Sequence, residues 1–477
     1  MSFLFRFRLL QAALLFLISM SALAQQKQWT LEECINYAKQ NNLSIKIQQY
    51  QLEISNANLL QSKGMMMPSI SGYASHSYNY GQTIDRFTNQ FATDMVRSNN
   101  FYVSANVTLF NGFQLLNSVK KSQFDLQASQ YDLQAMENDI SLTIATAFLQ
   151  ILYATEMFEN AKNQYELTMK QVDRTKKMLD AGAVANTVLL NLKAQAAAEE
   201  YQLTSMETQL EMALLTLAQL LDLSTHSDFA IAVPQIDISQ TATPLAADAI
   251  YDYAVQHQPE IRSAELRVQS ARKSYDISKG GYSPSLTFGA SLGTGYSGAR
   301  QNISGINITG LDTVGITTGS PPDYVLAPVF QYLYEPVSFK DQINENFNRT
   351  IGFNLSIPIF SSLQNMSNVR RNKINMYMAE TNLQQSKMNL NKTINQAHLD
   401  AVSALKRYNS ALKQVDAMKE VFRLAEERFE LDDMTLLEYQ DAKLKLTQAE
   451  SELLQAKYEF VFKMKVLDFY MGNEIRL

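Results

Sequence analysis

Two periodicities alternate along this chain. Between Phe113 and Asp180, apolar residues recur in steps of three and four, through Ile144, Ala147, Ile151, Ala154, Phe158 and Ala161. Between Leu363 and Glu430 the same spacing returns through Ile394, Ala397, Ala401, Ala404, Tyr408 and Ala411. Each run is 68 residues long and holds no Gly or Pro. The pattern is a heptad seam, apolar on one side, and it predicts helices about 100 Å long that pack beside neighbours in water. The most apolar part of the first run, Thr143 to Phe158, is interrupted by Gln150 and Glu156, and falls short of the roughly 18 to 20 apolar residues that a spanning helix needs.

Before each long run the period changes to two. In Phe101–Phe110, Val103, Ala105, Val107 and Leu109 share one side, and Tyr102, Ser104, Asn106 and Thr108 the other. In the later segment Ile351, Phe353, Leu355, Ile357 and Ile359 alternate with Gly352, Asn354 and Ser356. These are strands with one apolar face. Their expected partners, Ile70–Tyr80 and Leu286–Thr294, are weaker and richer in Ser, Gly and Tyr. A one-sided strand suits a sheet between lipid and water, and equally a half-buried sheet in a soluble protein.

The two halves are copies. At an offset of 216, Tyr37, Ala38 and Gln40 match Tyr253, Ala254 and Gln256, and Pro68-Ser69 matches Pro284-Ser285. At an offset of 250, Phe110, Val119, Thr143, Ile144 and Ala147 match Phe360, Val369, Thr393, Ile394 and Ala397. The difference, 34 residues, is one insertion in the second copy between Pro284 and Phe360. Each copy reads as a helix (about 31–62, broken near Asn42, and 246–278, broken at Pro259), two strands, a long helix and a second helix. The expected organisation is a first repeat over 25–223, with strands about 69–110, a long helix about 113–180 and a helix about 187–222. A linker and the start of the second repeat's first helix follow over 224–258. The second repeat covers 259–477, with strands about 285–359, a long helix about 363–430 and a helix about 436–472.

Composition sharpens this picture. Of 17 glycines, 15 lie between Gly64 and Gly112 or between Gly280 and Gly352, so turn-forming freedom is concentrated in the two strand windows. A net charge of -6 offers no basic footprint for nucleic acid. The single Cys34 can form no intramolecular disulfide; it aligns with Ile250, which points to an apolar packing role. The four histidines show no metal-ligand spacing, and no nucleophile–base set or phosphate loop is present, so no cofactor, metal or enzymatic role is expected. Gly293-Thr294-Gly295-Tyr296-Ser297-Gly298 fits a dinucleotide fingerprint by letter, but a Gly- and Asn-rich stretch follows instead of a helix, so the glycines mark a hairpin end. Residues 1–24 read as a cleaved signal peptide, with Arg6 and Arg8, an apolar run and Ala22-Leu23-Ala24 before the cut.

An exported chain with four one-sided strands and no spanning helix is either soluble or a piece of a barrel. Membrane barrels need at least eight strands, so four would have to be completed by other copies. Two copies supply 8 strands and a filled interior; three supply 12 and room for a passage. The matching features Leu31-Glu32-Glu33-Cys34-Ile35-Asn36-Tyr37-Ala38, Val107-Thr108-Leu109-Phe110-Asn111-Gly112, Ile357-Pro358-Ile359-Phe360 and the turns Ala181-Gly182-Ala183 and Leu431-Asp432-Asp433 recur in duplicated order. In these the chain resembles the TolC family of outer-membrane efflux proteins.

The resemblance implies an α+β membrane protein with four β-strands per chain, a homotrimer with one 12-stranded β-barrel in outer-membrane lipid, and a long periplasmic α-helical barrel. It implies export of small molecules or proteins, with a periplasmic adaptor and an inner-membrane transporter as partners. Within that frame Gly182, Ala183, Asp432 and Asp433 are the adaptor-contacting hairpin tips, and Glu438 and Asp441 ring the channel constriction. Three copies of each acid would focus negative potential and raise their pKa values by like-charge repulsion. Val188 stands at the first copy's equivalent of Glu438, and Met434 where some members place an arginine, so a gate latch does not transfer. The alternative from another class is an exported periplasmic coiled-coil adaptor or scaffold, which explains the helices and the leader but not two pairs of alternating strands.

Overall fold

The structure, a computed structural model, describes residues 28–85, 89, 91–92, 95–223, 229–234, 244–431 and 433–473. The signal segment 1–24, His226, Asp432 and most of the linker lie outside the described residues. In chain order the elements are β1 (Gln28–Trp29), α1 (Leu31–Asn41), α2 (Leu43–Gly64), β2 (Ser69–Asn79), β3 (Thr83–Ile84), β4 (Phe91–Ala92), β5 (Val96–Asn111), α3 (Gln114–Asp180) and α4 (Asn186–Leu220). There follow β6 (Ala230–Ile231), α5 (Ala247–His257), α6 (Pro259–Gly280), β7 (Ser285–Ser297), β8 (Gln301–Ile316), β9 (Tyr324–Pro336), α7 (Phe339–Glu345), β10 (Asn348–Ser356), α8 (Gln364–Glu430) and α9 (Leu436–Tyr470).

The duplication is visible in the helices themselves. The pairs α1/α5, α2/α6, α3/α8 and α4/α9 have equal lengths of 11, 22, 67 and 35 residues. Their starts differ by 216 for the first two pairs (Leu31 to Ala247, Leu43 to Pro259) and by 250 for the last two (Gln114 to Gln364, Asn186 to Leu436). The breaks between the short helices fall at Asn42 and Gln258, both extended in the backbone, the latter because a residue before proline avoids the helical region.

The described residues form two compact units that do not follow the two copies. One holds those up to Asn56 with Phe124–Gln269 and those from Tyr377 on; the other holds Ala57–Gln123 and Ser270–Met376. The first unit is helical, and its two main cores repeat each other. Cys34, Ala38, Ile144 and Leu217 are buried in one cluster, and their equivalents Ile250, Ala254, Ile394 and Leu467 are buried in the other. Contrary to the expectation from sequence, α3 does hold an 18-residue window long and apolar enough by composition to cross a membrane; Ile144, Phe148, Ile151 and Leu152 are instead buried in this helical core.

The second unit carries a four-stranded antiparallel sheet in the order β10-β7-β5-β2. Two expectations change here. Strict alternation through Leu109 is broken: a bulge between Thr108 and Phe110 leaves Leu109 without a paired residue and brings Phe110 opposite Leu286. The last strand ends at Ser356, so Ile357 and Ile359 lie beyond it, where Pro358 has no N–H to give a ladder.

The segment between Ser297 and Phe347, within the stretch that holds the second copy's insertion, is structured. It contains a long hairpin, β8–β9, and the short helix α7. Register shifts fall between Ile303 and Gly305, Ile308 and Gly310, and Thr313 and Gly315, so an extra residue enters every five. At two of these bulges a hydroxyl reaches across the ribbon: Ser304 Oγ donates to the Leu333 carbonyl and Thr309 Oγ1 to that of Val329, both at 3.3 Å.

Candidate functional site

In the half next to the long helices the sheet sorts its side chains by chemistry across all four strands; toward the β7–β8 turn His76 and Arg349 interrupt the apolar face, and Tyr73 and Tyr102 pair on the polar one. Residues paired directly in an antiparallel ladder lie on the same face. Following the register from β2 outward, one face carries Ile70 and Ala74, then Ala105, Val103, Phe101 and Val107, then Leu286, Phe288 and Ala290, then Leu355, Phe353 and Ile351. The other carries Ser69, Ser71 and Ser75, Asn106, Ser104 and Asn100, Thr287, Gly289 and Ser291, then Asn354, Gly352 and Thr350. On this polar face Ser71 and Ser104 hydrogen-bond at 3.0 Å. The apolar face is uncovered: Ile70, Ile351, Phe353 and Leu355 are 59–74% exposed.

Both edges of the sheet, β2 and β10, lack a partner strand among the described residues. A sheet with an apolar face, a polar face and two unsatisfied edges is incomplete as it stands.

The junction that turns strand into long helix is tightly built. Gly112 and Phe113 are left-handed (φ 65° and 61°), and their equivalents Ser362 and Leu363 are left-handed too (φ 49° and 64°). A Cβ on Gly112 would lie 2.6 Å from the Gly280 carbonyl oxygen and 2.5 Å from Ser283 Cβ. Gly280 faces the Gly112 carbonyl as closely. Two backbones meet there with no room for a side chain.

At the far end of α3 the first hairpin tip is a Schellman turn. The N–H of Gly182 (φ 76°) bonds the Leu179 carbonyl and that of Ala183 the Met178 carbonyl, at 2.9 and 2.8 Å. In the second copy Asp433 N–H bonds the Arg428 carbonyl at 2.9 Å, the equivalent of the Ala183 contact, while Asp432 lies outside the described residues. Asp433 is further held by Arg428, whose Nε donates to its carboxylate at 3.1 Å. The two tips therefore differ in charge: Met178 and Ala183 stand where the second has Arg428 and Asp433.

The two expected constriction acids have local partners. Glu438 completes a capping box at the start of α9: its carboxylate accepts from the Thr435 N–H at 3.0 Å and hydroxyl at 2.7 Å, and its own N–H donates back to Thr435 Oγ1. Bonds from the Thr435 backbone and then its hydroxyl hold the Glu438 carboxyl below its usual value, opposite in sign to the rise expected from repulsion between copies. Asp441 pairs with Lys445 one turn on, at 2.7 Å. In the first copy Ala185 replaces Thr435 and caps α4 with no side-chain bond.

A family model described as outer membrane efflux protein matches residues 34–222 and 250–473. The chain belongs to that family. Its place is accordingly the outer membrane. The chain is 21% identical over 336 residues to outer membrane protein TolC of Salmonella enteritidis, covering 70% of this chain and 60% of the relative. It is 22% identical over 335 residues to TolC of Escherichia coli, covering 70% and 61%. The matched region thus spans about three-fifths of these curated relatives. Among solved structures, the CmeC outer membrane channel of Campylobacter jejuni superposes with a TM-score of 0.74 at 17% identity, covering 93% of this chain and 85% of that one. This likeness is one of fold.

Three features escaped the sequence reading. The aromatic trio Phe422, Phe429 and Tyr439 packs the second hairpin, with Phe429 stacked on Tyr439 at 4.6 Å, where the first has Val172, Leu179 and Leu189. A polar seam joins α3, α4 and α9: buried Glu199 accepts from Gln195 and Gln164, and Lys443 Nζ donates to Thr168 at 3.0 Å. Burial pushes the Lys443 ammonium below its ordinary value, and the nearby Glu199 partly offsets this. The equivalent of Glu199 is the fully buried Ala449, so the repeat itself marks the position as unusual. The third is the β8–β9 hairpin.

Proposed function

We propose that three copies of this chain assemble into an efflux channel, with one 12-stranded β-barrel in the outer membrane and a periplasmic helical barrel. The channel gives small molecules or secreted proteins a conduit outward, in concert with a periplasmic adaptor and an inner-membrane transporter. One observation carries this reading: a four-stranded sheet, apolar on one face and polar on the other, with open edges at β2 and β10. Pairing β2 of one copy with β10 of the next satisfies both edges, places the apolar face in lipid and turns the Ser, Asn and Gly face to a lumen. Two copies would give about 8 strands and a filled interior, while three give about 12 and a water-filled passage.

In this assembly the tips at Gly182, Ala183, Asp432 and Asp433 are the adaptor contacts, and Glu438 and Asp441 line the periplasmic constriction. What supports the ring is the exposure of both acids on the first turns of α9. The test is reconstitution of the purified protein in planar bilayers. A conducting trimer is expected, and Glu438→Ala with Asp441→Ala should raise conductance or relieve block by multivalent cations. A non-conducting chain would overturn the channel; conductance and block unmoved by the double variant would overturn the acidic ring alone.

A further inference from the structure

Toward the hairpin tips the four long helices stand side by side in an order set by their contacts. Gln164 of α3 donates to Glu199 of α4, Lys443 of α9 to Thr168 of α3, and Arg407 of α8 to Glu459 of α9. The row is therefore α4-α3-α9-α8, with α4 and α8 outermost. Its middle seam, α3 against α9, joins the first hairpin to the second. Three polar contacts fix the antiparallel register there: Gln171 with Tyr439 at 3.3 Å, Thr168 with Lys443 at 3.0 Å and Glu156 with Lys457 at 3.4 Å. The hairpins are copies at an offset of 250, so α8 corresponds to α3 and α4 to α9. The seam inside one chain is thus a template for a seam between α8 of one copy and α4 of another.

The clefts beside these helices repeat in the same way, but one is incomplete. A cleft of about 400 Å³ between α3 and α4 is walled on its third side by Leu444, Thr447, Gln448 and Ser451 of α9. A second cleft, of about 420 Å³, is lined by nine residues of α8 and α9 alone. Six of the nine, among them Arg407, Ser410, Ala411 and Gln414, are equivalents of residues lining the first. By the same offset its missing wall is Ala194, Ala197, Ala198 and Tyr201 of α4. All four are exposed, Tyr201 at 77%. The sizes are complementary: Ala456 replaces Met206 in the second cleft, and Tyr201 replaces Ser451 in the wall that would close it.

Charge follows the same rule. The equivalents of Glu156 and Lys457 are Lys406 and Glu207, so the pair stays complementary with its signs exchanged. Lys406 and Glu207 are exposed and have no partner among the described residues. The exchange also selects the neighbour. A first hairpin beside another first hairpin would set Glu156 against Glu207, and a second beside a second would set Lys406 against Lys457; only alternation of the two satisfies every charge.

We propose that α4 of one copy packs against α8 and α9 of the next, with Tyr201 seated as a knob at Arg407, Ser410 and Ala411 and Glu207 paired with Lys406. The inference rests on the three-copy channel reading above. The contact is head-to-tail: each copy offers α4 to one neighbour and α8 to the other, so it repeats around all copies and closes the ring.

The test uses the full-length protein in outer-membrane preparations, with cysteine variants treated with a short bis-maleimide and read on denaturing gels. The native Cys34 is fully buried and silent. Lys406→Cys with Glu207→Cys in one chain is expected to link copies into dimers and trimers, and Ser410→Cys with Tyr201→Cys is the second pair. Each of these cysteines alone should link nothing, because the surfaces that meet are different. Glu156→Cys with Lys457→Cys should link within one chain and leave the mass of a single copy. Linking by a lone cysteine, or by neither pair, overturns the interface. Glu207→Lys should lower the dissociation temperature of the oligomer in mild detergent, and adding Lys406→Glu should restore it; an unmoved temperature or a failed restoration overturns the ion pair. Oligomer mass separates the two readings: a trimer that neither pair links overturns this interface alone, and a monomer overturns the channel as well.

Discussion

Replacing Gly112 by alanine tests whether the strand-to-helix junction depends on packing as well as on backbone conformation. The left-handed conformation at φ 65° costs an L-residue roughly 1–2 kcal/mol. In addition the new Cβ would meet the Gly280 carbonyl oxygen at 2.6 Å and Ser283 Cβ at 2.5 Å. Backbone cannot swing aside as a flexible side chain does, and overpacking of this kind costs about 1–3 kcal/mol. The sum is about 2–5 kcal/mol. Gly182 supplies the internal control: its φ is 76°, but nothing lies within 4 Å of its built Cβ, so alanine there should cost only the conformational ~1–2 kcal/mol. The assay is the temperature and denaturant dependence of the folded, heat-modifiable band in detergent, read for Gly112→Ala, Gly182→Ala and the double variant. Since about 1.4 kcal/mol is tenfold in an equilibrium constant, the two single variants should separate clearly. Equal losses for the two would refute the close approach of Gly112 and Gly280.

Three further outcomes follow from the geometry. Phe353→Lys, on the apolar face of β10, should cost about 2–4 kcal/mol in a lipid-facing strand and abolish the heat-modifiable species, while Thr350→Lys on the polar face is tolerated; equal tolerance would show that the apolar face does not meet lipid. Thr435→Ala removes the cap of α9 at a cost of about 1 kcal/mol, seen as faster hydrogen exchange over 436–440. Because the folded-state pKa of Glu438 is depressed, its capping contribution is present above the ordinary carboxylate range and is lost as pH falls through the lowered value; protection of that turn that does not change with acid would contradict the capping role. Lys443, with its folded pKa lowered by burial, binds fewer protons folded than unfolded between that value and 10.5, so stability rises with pH in this window, and Lys443→Met should flatten the rise in alkaline denaturant titrations.

Much of the architecture was readable because it is locally encoded. Uninterrupted heptad spacing and the absence of Gly and Pro define α3 and α8, and an alternating pattern identifies the faces of β5 and β10. The hairpin β8–β9 was not readable for the same reason. Its apolar residues 303, 306, 308, 311 and 316 follow steps set by bulges, which match neither period 2 nor period 3.6. Among the expected site residues, the Gly182 turn could be inferred from residue type. The engagement of Glu438 by Thr435 has a sequence signature, Thr followed three residues later by Glu at a helix start, which marks a cap.

The sequence by itself determined the repeat, the helix lengths and their breaks, and the chemistry of each strand's two sides. These depend on contacts within a few residues. Only the tertiary structure decided that β5 lies beside β7, that Leu109 is bulged out, that Gly112 meets Gly280, and that Lys443 is buried against α3. Each of these joins residues more than a hundred positions apart or depends on such a join. Periodicity along a chain specifies which side of an element is apolar, but the partner that covers it is selected by packing across the whole fold.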